Sequence, residues 1–237
     1  MQRIVGIGMI VCAVCITGCR GPEGSTGPMG PQGLGAATPV YVYNQDFDGA
    51  GYNPGTEYVV GALFPSYFGL GLNGTYFVSA PESLQISTTG GVGAQSGVFS
   101  KSGQITYING DDFYVDTYID YDQFTSAPIE IQFIEAGVVR SDLGLNPSTG
   151  HFYAYNSGSQ IVFSSFSAGF FSHVNLTWHA KTGLSDYTIN GTLCGQNLAC
   201  TQTTPSSAPS TCVGIVFPGS SDANDVVLVD NLTVYHY

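Results

Sequence analysis

The stretch Phe171–Gly191 (FSHVNLTWHAKTGLSDYTING) carries the clearest structural pattern in the chain. Its first half alternates apolar Val174, Leu176 and Trp178 with polar residues, and this period of two is typical of a strand with one buried face. A Lys-Thr-Gly turn follows, and Ser185–Asn190 is predicted to be the returning strand. Trp178 is the only tryptophan, and its large ring is expected to anchor a core.

This hairpin resembles a segment of the concanavalin A-like jelly rolls, the laminin-G and legume-lectin type, where such a hairpin lies in the middle of the sandwich. The resemblance implies an all-β jelly-roll sandwich of roughly 12–14 antiparallel strands over residues 39–237. Short apolar or alternating runs follow Thr38, separated by Gly, Asn, Ser and Pro, and no long amphipathic helix is indicated.

The candidate strands are Val40–Phe47, Glu57–Phe64, Thr75–Ser79, Ser83–Thr88, Gln104–Ile108, Phe113–Tyr121, Ile129–Ile134, Val138–Leu143, His151–Asn156, Gln160–Phe166, His173–His179, Ser185–Asn190, Cys212–Phe217 and Val226–His236. The last of them resembles the closing strand of many secreted jelly rolls. In such folds the first and last strands are usually neighbours in one sheet, and we expect the same pairing here.

The composition favours an extracellular β domain. A chain of 237 residues is long enough for one large sandwich. Charged residues make up only 9% and aromatic residues 13%, so the chain has ample apolar surface to bury. The net charge of −12 argues against binding to nucleic acid or to anionic lipid, whose phosphates would repel it.

Residues 1–18 are predicted to be a signal peptide. Arg3 precedes an apolar run from Ile4 to Ile16 that is too short for a stop-transfer helix. The ending Thr-Gly-Cys19 resembles the lipobox of bacterial lipoproteins. This resemblance implies that Cys19 is lipidated and anchors the protein to the membrane of a bacterial cell envelope, at the outer membrane or cell surface. Ordinary secretion is the alternative.

Residues 19–38 combine this cysteine with a collagen-like segment. Four consecutive Gly-X-Y triplets begin at Gly21, and Gly33-Leu-Gly35 then breaks the period. The triplets resemble bacterial collagen-like sequence, because only glycine fits at the axis of a triple helix. Two interpretations stay open, namely an extended polyproline II spacer and a stalk that makes a homotrimer.

Three cysteines, Cys194, Cys200 and Cys212, lie in or beside one predicted loop. An envelope location permits a disulfide, so a structural staple is expected here. A Cys194–Cys212 bond would close the mouth of the loop, and Cys194–Cys200 would close a small ring within it. The spacing does not choose between these pairings, and it does not match a zinc site.

The segment from Glu130 to Glu135, EIQFIE, resembles the E-x-D-x-x-E strand motif of the family 16 glycoside hydrolases. In that family the first Glu is the nucleophile and the last is the acid/base. Here Gln132 replaces the family's Asp. Residues five apart on a regular strand point to opposite faces, so Glu130 and Glu135 would act together only across a β-bulge at 132–134. The alternative is an ordinary strand with Ile131 and Phe133 packed inward.

Asp46, Asp48 and Asp230 form a candidate calcium site. The first two end the first predicted strand, and Asp230 lies within the last. If those strands are neighbours, carboxylates from both meet at one sheet end, and calcium prefers such hard oxygen ligands. A resemblance to jelly-roll carbohydrate modules implies a structural calcium in about this place. The alternative is turn carboxylates that accept backbone N–H bonds.

Tyrosines are frequent, and two pairs share a strand face: Tyr114 with Tyr118, and Tyr153 with Tyr155. Sugar-binding sites place aromatic rings against the apolar faces of sugars and use a few polar groups for orientation. These pairs are therefore candidate ligand-binding residues, although tyrosine is also a common strand residue.

These observations favour a surface-anchored, non-catalytic module that binds a glycan or another extracellular ligand, such as a protein. The first alternative is a divergent polysaccharide-cleaving enzyme that uses Glu130 and Glu135. The second is a trimeric head on a collagen-like stalk, similar to the complement and tumour-necrosis jelly rolls, which acts as an adhesin or structural surface protein.

Overall fold

The computed structural model describes residues 38–48, 53–61, 67–79, 81–89, 91, 93, 95–106, 108, 110–122, 125–205, 208–219 and 224–237. The predicted signal peptide, Cys19 and the collagen-like triplets lie outside these residues. The described part is an all-β sandwich of two antiparallel sheets, which confirms the predicted fold class. Within it, no helix has the length and apolar character needed to cross a membrane.

The elements in chain order are β1 (Val40–Gln45), α1 (Pro54–Glu57), β2 (Tyr58–Gly61), β3 (Phe68–Asn73), β4 (Ser83–Thr88), β5 (Ser96–Ser100), β6 (Phe113–Tyr121), β7 (Ile129–Glu135), β8 (Val138–Asn146), β9 (His151–Asn156), β10 (Ser159–Ser165), β11 (Ser172–His179), β12 (Leu184–Ile189), β13 (Thr192–Leu198), β14 (Cys212–Phe217) and β15 (Val226–His236). The front sheet has the order β13-β12-β11-β6-β15-β4-β3, and β1 also pairs with β15. The back sheet has the order β10-β9-β8-β7-β14-β5-β2.

The predicted central hairpin is confirmed as β11 and β12. Val174, Leu176 and Trp178 are buried, and they alternate with more exposed residues that face outward. The Trp178 ring lies 5.9 Å from the ring of Phe133 on the back sheet, centroid to centroid. The tryptophan therefore contacts the opposite layer directly, and burial of such side chains supplies the main stabilisation of a sandwich.

The predicted pairing of the first and last strands is also confirmed. β1 pairs with residues Leu232 to His236 of β15, and β4 pairs with residues Val226 to Val229 of the same strand. On its other side β15 pairs with β6 along most of its length. The end of the last strand, which carries Tyr235, therefore has β1 on one side and β6 on the other.

Several strand boundaries differ from the predicted ones. Thr75–Ser79 is a loop rather than a strand, and the strand in this region is β3, whose FGLGLN sequence is depleted in good strand formers. β3 is held by full pairing with β4. Gln104–Ile108 contains no strand among its described residues. β5 and β13 were not predicted to be strands. Each forms by pairing with another strand, β5 with β2 and β13 with β12.

The expected disulfide staple is not formed, since Cys194, Cys200 and Cys212 are all free. The prediction was wrong because it placed Cys194 at the mouth of a loop. Cys194 instead lies within β13 at the edge of the front sheet, whereas Cys212 begins β14 inside the back sheet.

Candidate functional site

The outer face of the front sheet carries a row of aromatic side chains that strand register sets in place. Tyr114 of β6 lies opposite Tyr235 of β15, and Tyr235 lies opposite Tyr41 of β1. The ring centroids are 5.0 Å apart for Tyr114 and Tyr235, and 5.7 Å apart for Tyr41 and Tyr235. Tyr237 presents an edge contact to both Tyr114 and Tyr235. We call Tyr41, Tyr235, Tyr114 and Tyr237 the tyrosine row.

A second row of polar side chains lies beside the tyrosine row on the same sheet face, two residues away along β6 and β15. Asp116 of β6 lies opposite Asn175 of β11 on one side and Thr233 of β15 on the other. The Asn175 amide donates to Asp116 over 3.1 Å, and the Thr233 hydroxyl donates to Asn44 over 3.0 Å. We call Asn175, Asp116, Thr233 and Asn44 the polar row. Strand geometry places it about 7 Å from the tyrosine row.

The predicted residue Tyr118 lies beyond the polar row. Its ring stacks on His173 of β11, with the centroids 4.6 Å apart. His173 Nε2 lies 2.8 Å from Asp116 Oδ1, so the Tyr118–His173 pair is joined to the polar row. The structure therefore brings Tyr114 and Tyr118 onto one outer face, as their spacing predicted.

Two grooves border the tyrosine row. The first groove has a volume of about 540 Å³, and Tyr114, His179, Asp186 and Tyr237 are among its lining residues. The second groove has a volume of about 270 Å³, and Tyr41, Asp116, Thr233, Tyr235 and Tyr237 contribute to its lining. Tyr237 lines both grooves, and the stacked rings of Tyr114 and Tyr235 stand between them. Both grooves therefore border the same pair of stacked rings, and we call the two grooves together the track.

His179 is fixed at both ring nitrogens inside the first groove. Nδ1 lies 2.8 Å from Asp112 Oδ2, and Nε2 lies 3.1 Å from Asp186 Oδ2. A carboxylate accepts hydrogen bonds only, so both contacts are hydrogen bonds when the ring is the positively charged imidazolium, which has a proton on each nitrogen. Burial lowers the pKa of His179, but hydrogen bonds to Asp112 and Asp186 outweigh it and hold the pKa above its ordinary value. In this state neither nitrogen is free to act as a base.

The phenols of Tyr114 and Tyr235 stay protonated at neutral pH. Burial, followed by the charge of Asp112, raises the pKa of Tyr114, and burial together with Asp116 raises the pKa of Tyr235. Neutral phenol groups donate and accept hydrogen bonds. The row therefore offers apolar ring surface together with polar tips.

The second predicted tyrosine pair lies on the outer face of the back sheet, where Tyr153 is only 3% exposed. Its prediction as an exposed binding residue was therefore wrong. The Tyr153 ring lies over Gly144 of β8, where a Cβ atom would overlap the ring, and its hydroxyl donates to Glu130 over 3.1 Å. Tyr155 is half-buried and makes an edge contact with Tyr153 at 5.8 Å.

Glu130 is fully buried on this same face. It accepts hydrogen bonds from Gln132 at 2.8 Å and from Gln202 at 3.2 Å, besides the one from Tyr153. Burial, reinforced by the charge of Asp142, raises the pKa of Glu130 to about 7. Burial likewise raises the pKa of Asp142 to about 6.

Glu135 has separate partners. The strand does contain an irregularity between Phe133 and Ile134, at the position where the enzyme interpretation requires a bulge. Glu135 nevertheless forms an ion pair with Arg140 at 2.7 Å, and the Arg140 guanidinium lies over the Trp178 ring of the front sheet. Glu130 points away from that layer, so the structure does not bring Glu130 and Glu135 together.

A segment that we call the strap, the described residues 199–205 and 208–211, covers the outer face of the back sheet. Cys200 and Ala208 pack on a separate apolar cluster that consists of Phe99, Ile134, Val139, Cys212 and Val216. Gln202 of the strap reaches Glu130, and the Thr204 hydroxyl accepts from the backbone N–H of Val139 at 3.2 Å. The strap thereby keeps water away from Glu130.

The three aspartates predicted to bind calcium take part in hydrogen bonds with the backbone. Asp230 is fully buried and accepts from the N–H groups of Val78 at 2.6 Å and Ser79 at 2.9 Å. Asp46 accepts from the N–H of Asp48 at 3.2 Å, and Asp48 accepts from that of Glu82 at 3.3 Å. Among the residues that the structure describes, no group of three or more His, Cys, Asp or Glu side chains could hold a metal ion. Calcium binding stays a prediction.

Sequence reasoning missed three members of the tyrosine row, Tyr41, Tyr235 and Tyr237. A signal was available in β15, where half-buried Tyr235 stands between buried Val234 and buried His236, and β1 and β15 were predicted to be neighbours. It also missed His179 with Asp112 and Asp186, because residues far apart in the chain meet only through the pairing of β11 with β12 and β6.

Comparison with known proteins supports the fold class. No protein-family model matches the chain, and no curated protein matches its sequence. A sialidase matches with a TM-score of 0.60 at 13% identity, over 82% of this chain and 18% of the sialidase. A conserved carbohydrate esterase from the Shiga toxin-encoding bacteriophage phi24B matches with a TM-score of 0.59 at 6% identity, over 84% of this chain and 99% of that one.

The binding domain of botulinum neurotoxin serotype D also matches, with a TM-score of 0.50 at 10% identity, over 82% of this chain and 47% of that one. Identities this low show a shared fold only. The described domain is a jelly-roll-type β-sandwich, and its structural neighbours include carbohydrate-active proteins and a toxin binding domain.

Proposed function

We propose that this protein is a glycan-binding module that holds an extended saccharide along the outer face of the front sheet. The observation that carries the proposal is the tyrosine row beside the polar row, bordered by two grooves that meet at Tyr237. Aromatic rings contact the apolar faces of sugars, and directed polar groups bind the hydroxyls. The similarity of the fold to a sialidase and a carbohydrate esterase supports the same class of ligand.

The first groove supplies the stacking position. Tyr235 covers one face of the Tyr114 ring at an interplanar angle of 4°, so a sugar ring stacks on the opposite face, inside the groove. Asp186 and Asp112 line the same groove and accept hydrogen bonds from hydroxyl groups. The second groove continues the track past Tyr41, which is 62% exposed.

Two observations favour binding over cleavage. His179 is committed at both ring nitrogens, so it does not accept a proton from a substrate. Glu130, the buried carboxyl group with a raised pKa, lies beneath the strap on the back sheet. It is therefore not on the sheet that carries the tyrosine row. The grooves therefore combine surfaces for recognition with carboxylates that accept hydrogen bonds.

The setting of the module is part of the proposal. A lipid at Cys19 would tether the chain to a bacterial envelope, and the Gly-X-Y segment would hold the glycan-binding face away from the membrane. Sedimentation of the full chain distinguishes a monomeric module from the trimeric head.

A polysaccharide array probed with the full chain tests the function, with calcium and again with a chelator. We expect binding to at least one polysaccharide, without loss of the polymer over hours. Tyr114→Ala should weaken that binding by about tenfold, because it removes the stacking surface. Tyr155→Ala, which removes a tyrosine from the back sheet, should leave the affinity unchanged. Equal affinities of Tyr114→Ala and the unaltered protein, or shortening of the polymer, would contradict the proposal.

A further inference from the structure

The grooves beside the tyrosine row carry an excess of negative charge. Asp111, Asp112 and Asp186 line the first groove, and Asp116 lines the second. Lys181 is the only lysine or arginine among the described lining residues, and its side chain is exposed. A ligand in the track therefore meets four carboxylates and one permanent cation.

The nearby histidines do not reverse this charge, because each already lies on a carboxylate. His179 is shared by Asp112 and Asp186, so its single positive charge balances only one of them. The other contacts are His173 with Asp116 at 2.8 Å and His236 with Asp111 at 2.9 Å. Even if each of the three histidines carried a positive charge, the histidines and Lys181 together would only balance the four carboxylates.

The chemistry of a carboxylate determines which substituents of a ligand it can bind. A carboxylate takes hydrogen bonds from hydroxyl or ammonium groups and offers none to another anion. Asp116 stands in the polar row, about 7 Å from the tyrosine row, where substituents of a stacked sugar ring reach it. A hydroxyl or amino substituent finds an acceptor there, whereas a carboxylate or sulfate substituent meets a like charge.

From this charge distribution we infer that the site selects glycans without acidic groups, neutral or amino-bearing, and rejects uronate-containing and sulfated ones. The inference rests on the proposed glycan-binding function and adds the ligand class. The net charge of −12 strengthens it, because the field of the whole chain repels polyanions before they reach the grooves.

The test is an array of polysaccharides in which each backbone appears in neutral, amino-bearing and acidic forms, probed with the full chain at low salt. We expect the acidic form to bind at least about tenfold more weakly than its neutral counterpart, with a smaller ratio at high salt because ions screen the repulsion. Binding of acidic forms as tightly as neutral ones overturns the inference but leaves the glycan-binding function intact. Binding to none overturns both.

Charge-neutralising variants test whether the discrimination against acidic glycans arises at this face of the front sheet. Asp116→Asn should reduce the discrimination against acidic forms by about threefold, because one carboxylate leaves the polar row. The matched control Glu82→Gln removes the same charge outside both grooves and should leave the ratio unchanged. If Asp116→Asn and Glu82→Gln showed the same ratio of neutral to acidic affinity, the discrimination would not arise at the polar row. That result would overturn the assignment of selectivity to this face.

Discussion

The outer faces of the two sheets carry similar side chains in opposite environments. On the front sheet, Tyr114 and Asp116 are half-buried and border open grooves. On the back sheet, Tyr153 and Glu130 are buried beneath the strap. The same residue types thus serve as ligand-binding surface on one sheet and as a buried polar network on the other, and the difference is the segment that covers the second face.

The covering segment changes the energetics of the carboxyl groups. A buried carboxylate lacks hydration, so its charged form is disfavoured and its pKa rises, as it does for Glu130 and Asp142. On the open face, the aspartates border the two grooves, and the inferred ligand selectivity depends on their carboxylate groups. Variants that act on one face only can test this contrast.

The largest expected contrast is between two tyrosine truncations. Tyr153→Ala should lower the free energy of unfolding by about 4 kcal/mol, because it leaves a cavity and removes a partner of buried Glu130. Tyr114→Ala should cost less than about 1.5 kcal/mol, since its ring is partly exposed and stands on a surface. Chemical denaturation measures both. Equal losses of stability would contradict the contrast between covered and open faces.

A second prediction concerns the pH dependence of stability. The pKa of Glu130 rises from 4.5 to about 7 on folding, so between these values the folded state binds more protons than the unfolded state. Its stabilising contribution is therefore complete below about pH 4.5 and is lost as the pH rises to about 7, on the order of 3 kcal/mol in total.

Glu130→Gln should flatten this decline in denaturation curves measured from pH 4 to pH 8, because an amide does not ionise. The residual slope should come from Asp142, whose pKa is also raised, to about 6. Glu82→Gln serves as the control and should retain the full decline. A Glu130→Gln profile that matches the unaltered protein would show that strap burial does not govern ionisation here.

Two glycine substitutions, one beneath the strap and one control outside it, test the packing of Tyr153. Gly144→Ala should lower stability by about 2 kcal/mol, because the added Cβ overlaps the Tyr153 ring that is packed against β8. Gly71→Ala in β3 is the matched control, since no atom lies within 4 Å of its added Cβ. The control should be neutral or slightly stabilising in thermal denaturation. If the two substitutions have the same effect, the close packing of Tyr153 on β8 is not important for stability.

The smallest expected effect is on the open face. NMR titration should find the pKa of His179 above its ordinary value of 6.5, and Asp186→Asn should lower it, because one carboxylate partner is lost. The stabilisation is present below about pH 6.5 and lost as the pH rises through the raised pKa, and it should stay below about 1 kcal/mol because the site is solvated. Asp48→Asn, outside the grooves, should not shift the titration.

Local patterns, together with the resemblance to concanavalin A-like jelly rolls, were sufficient to predict the layer architecture. The alternation around Trp178 predicted the β11–β12 hairpin and its buried face, and the resemblance correctly implied that the last strand pairs with the first. Predictions were less accurate where they depended on which sheet face is covered by a distant segment. Tyr153 alternates with its neighbours as Tyr114 does, but it lies under the strap. The cysteine pairing failed for a related reason, because Cys194 belongs to a strand that only pairing with β12 specifies.

The sequence by itself determined an all-β sandwich with a tryptophan in its core and tyrosines on strand faces, because burial alternation is a property of neighbouring residues. Only the tertiary structure decided which outer face is open. The tyrosine row depends on the register of β1, β6 and β15, and the burial of Glu130 depends on the strap, the described residues 199–205 and 208–211, which covers the back sheet. Both are contacts between distant segments, and side-chain alternation within one strand carries no information about them.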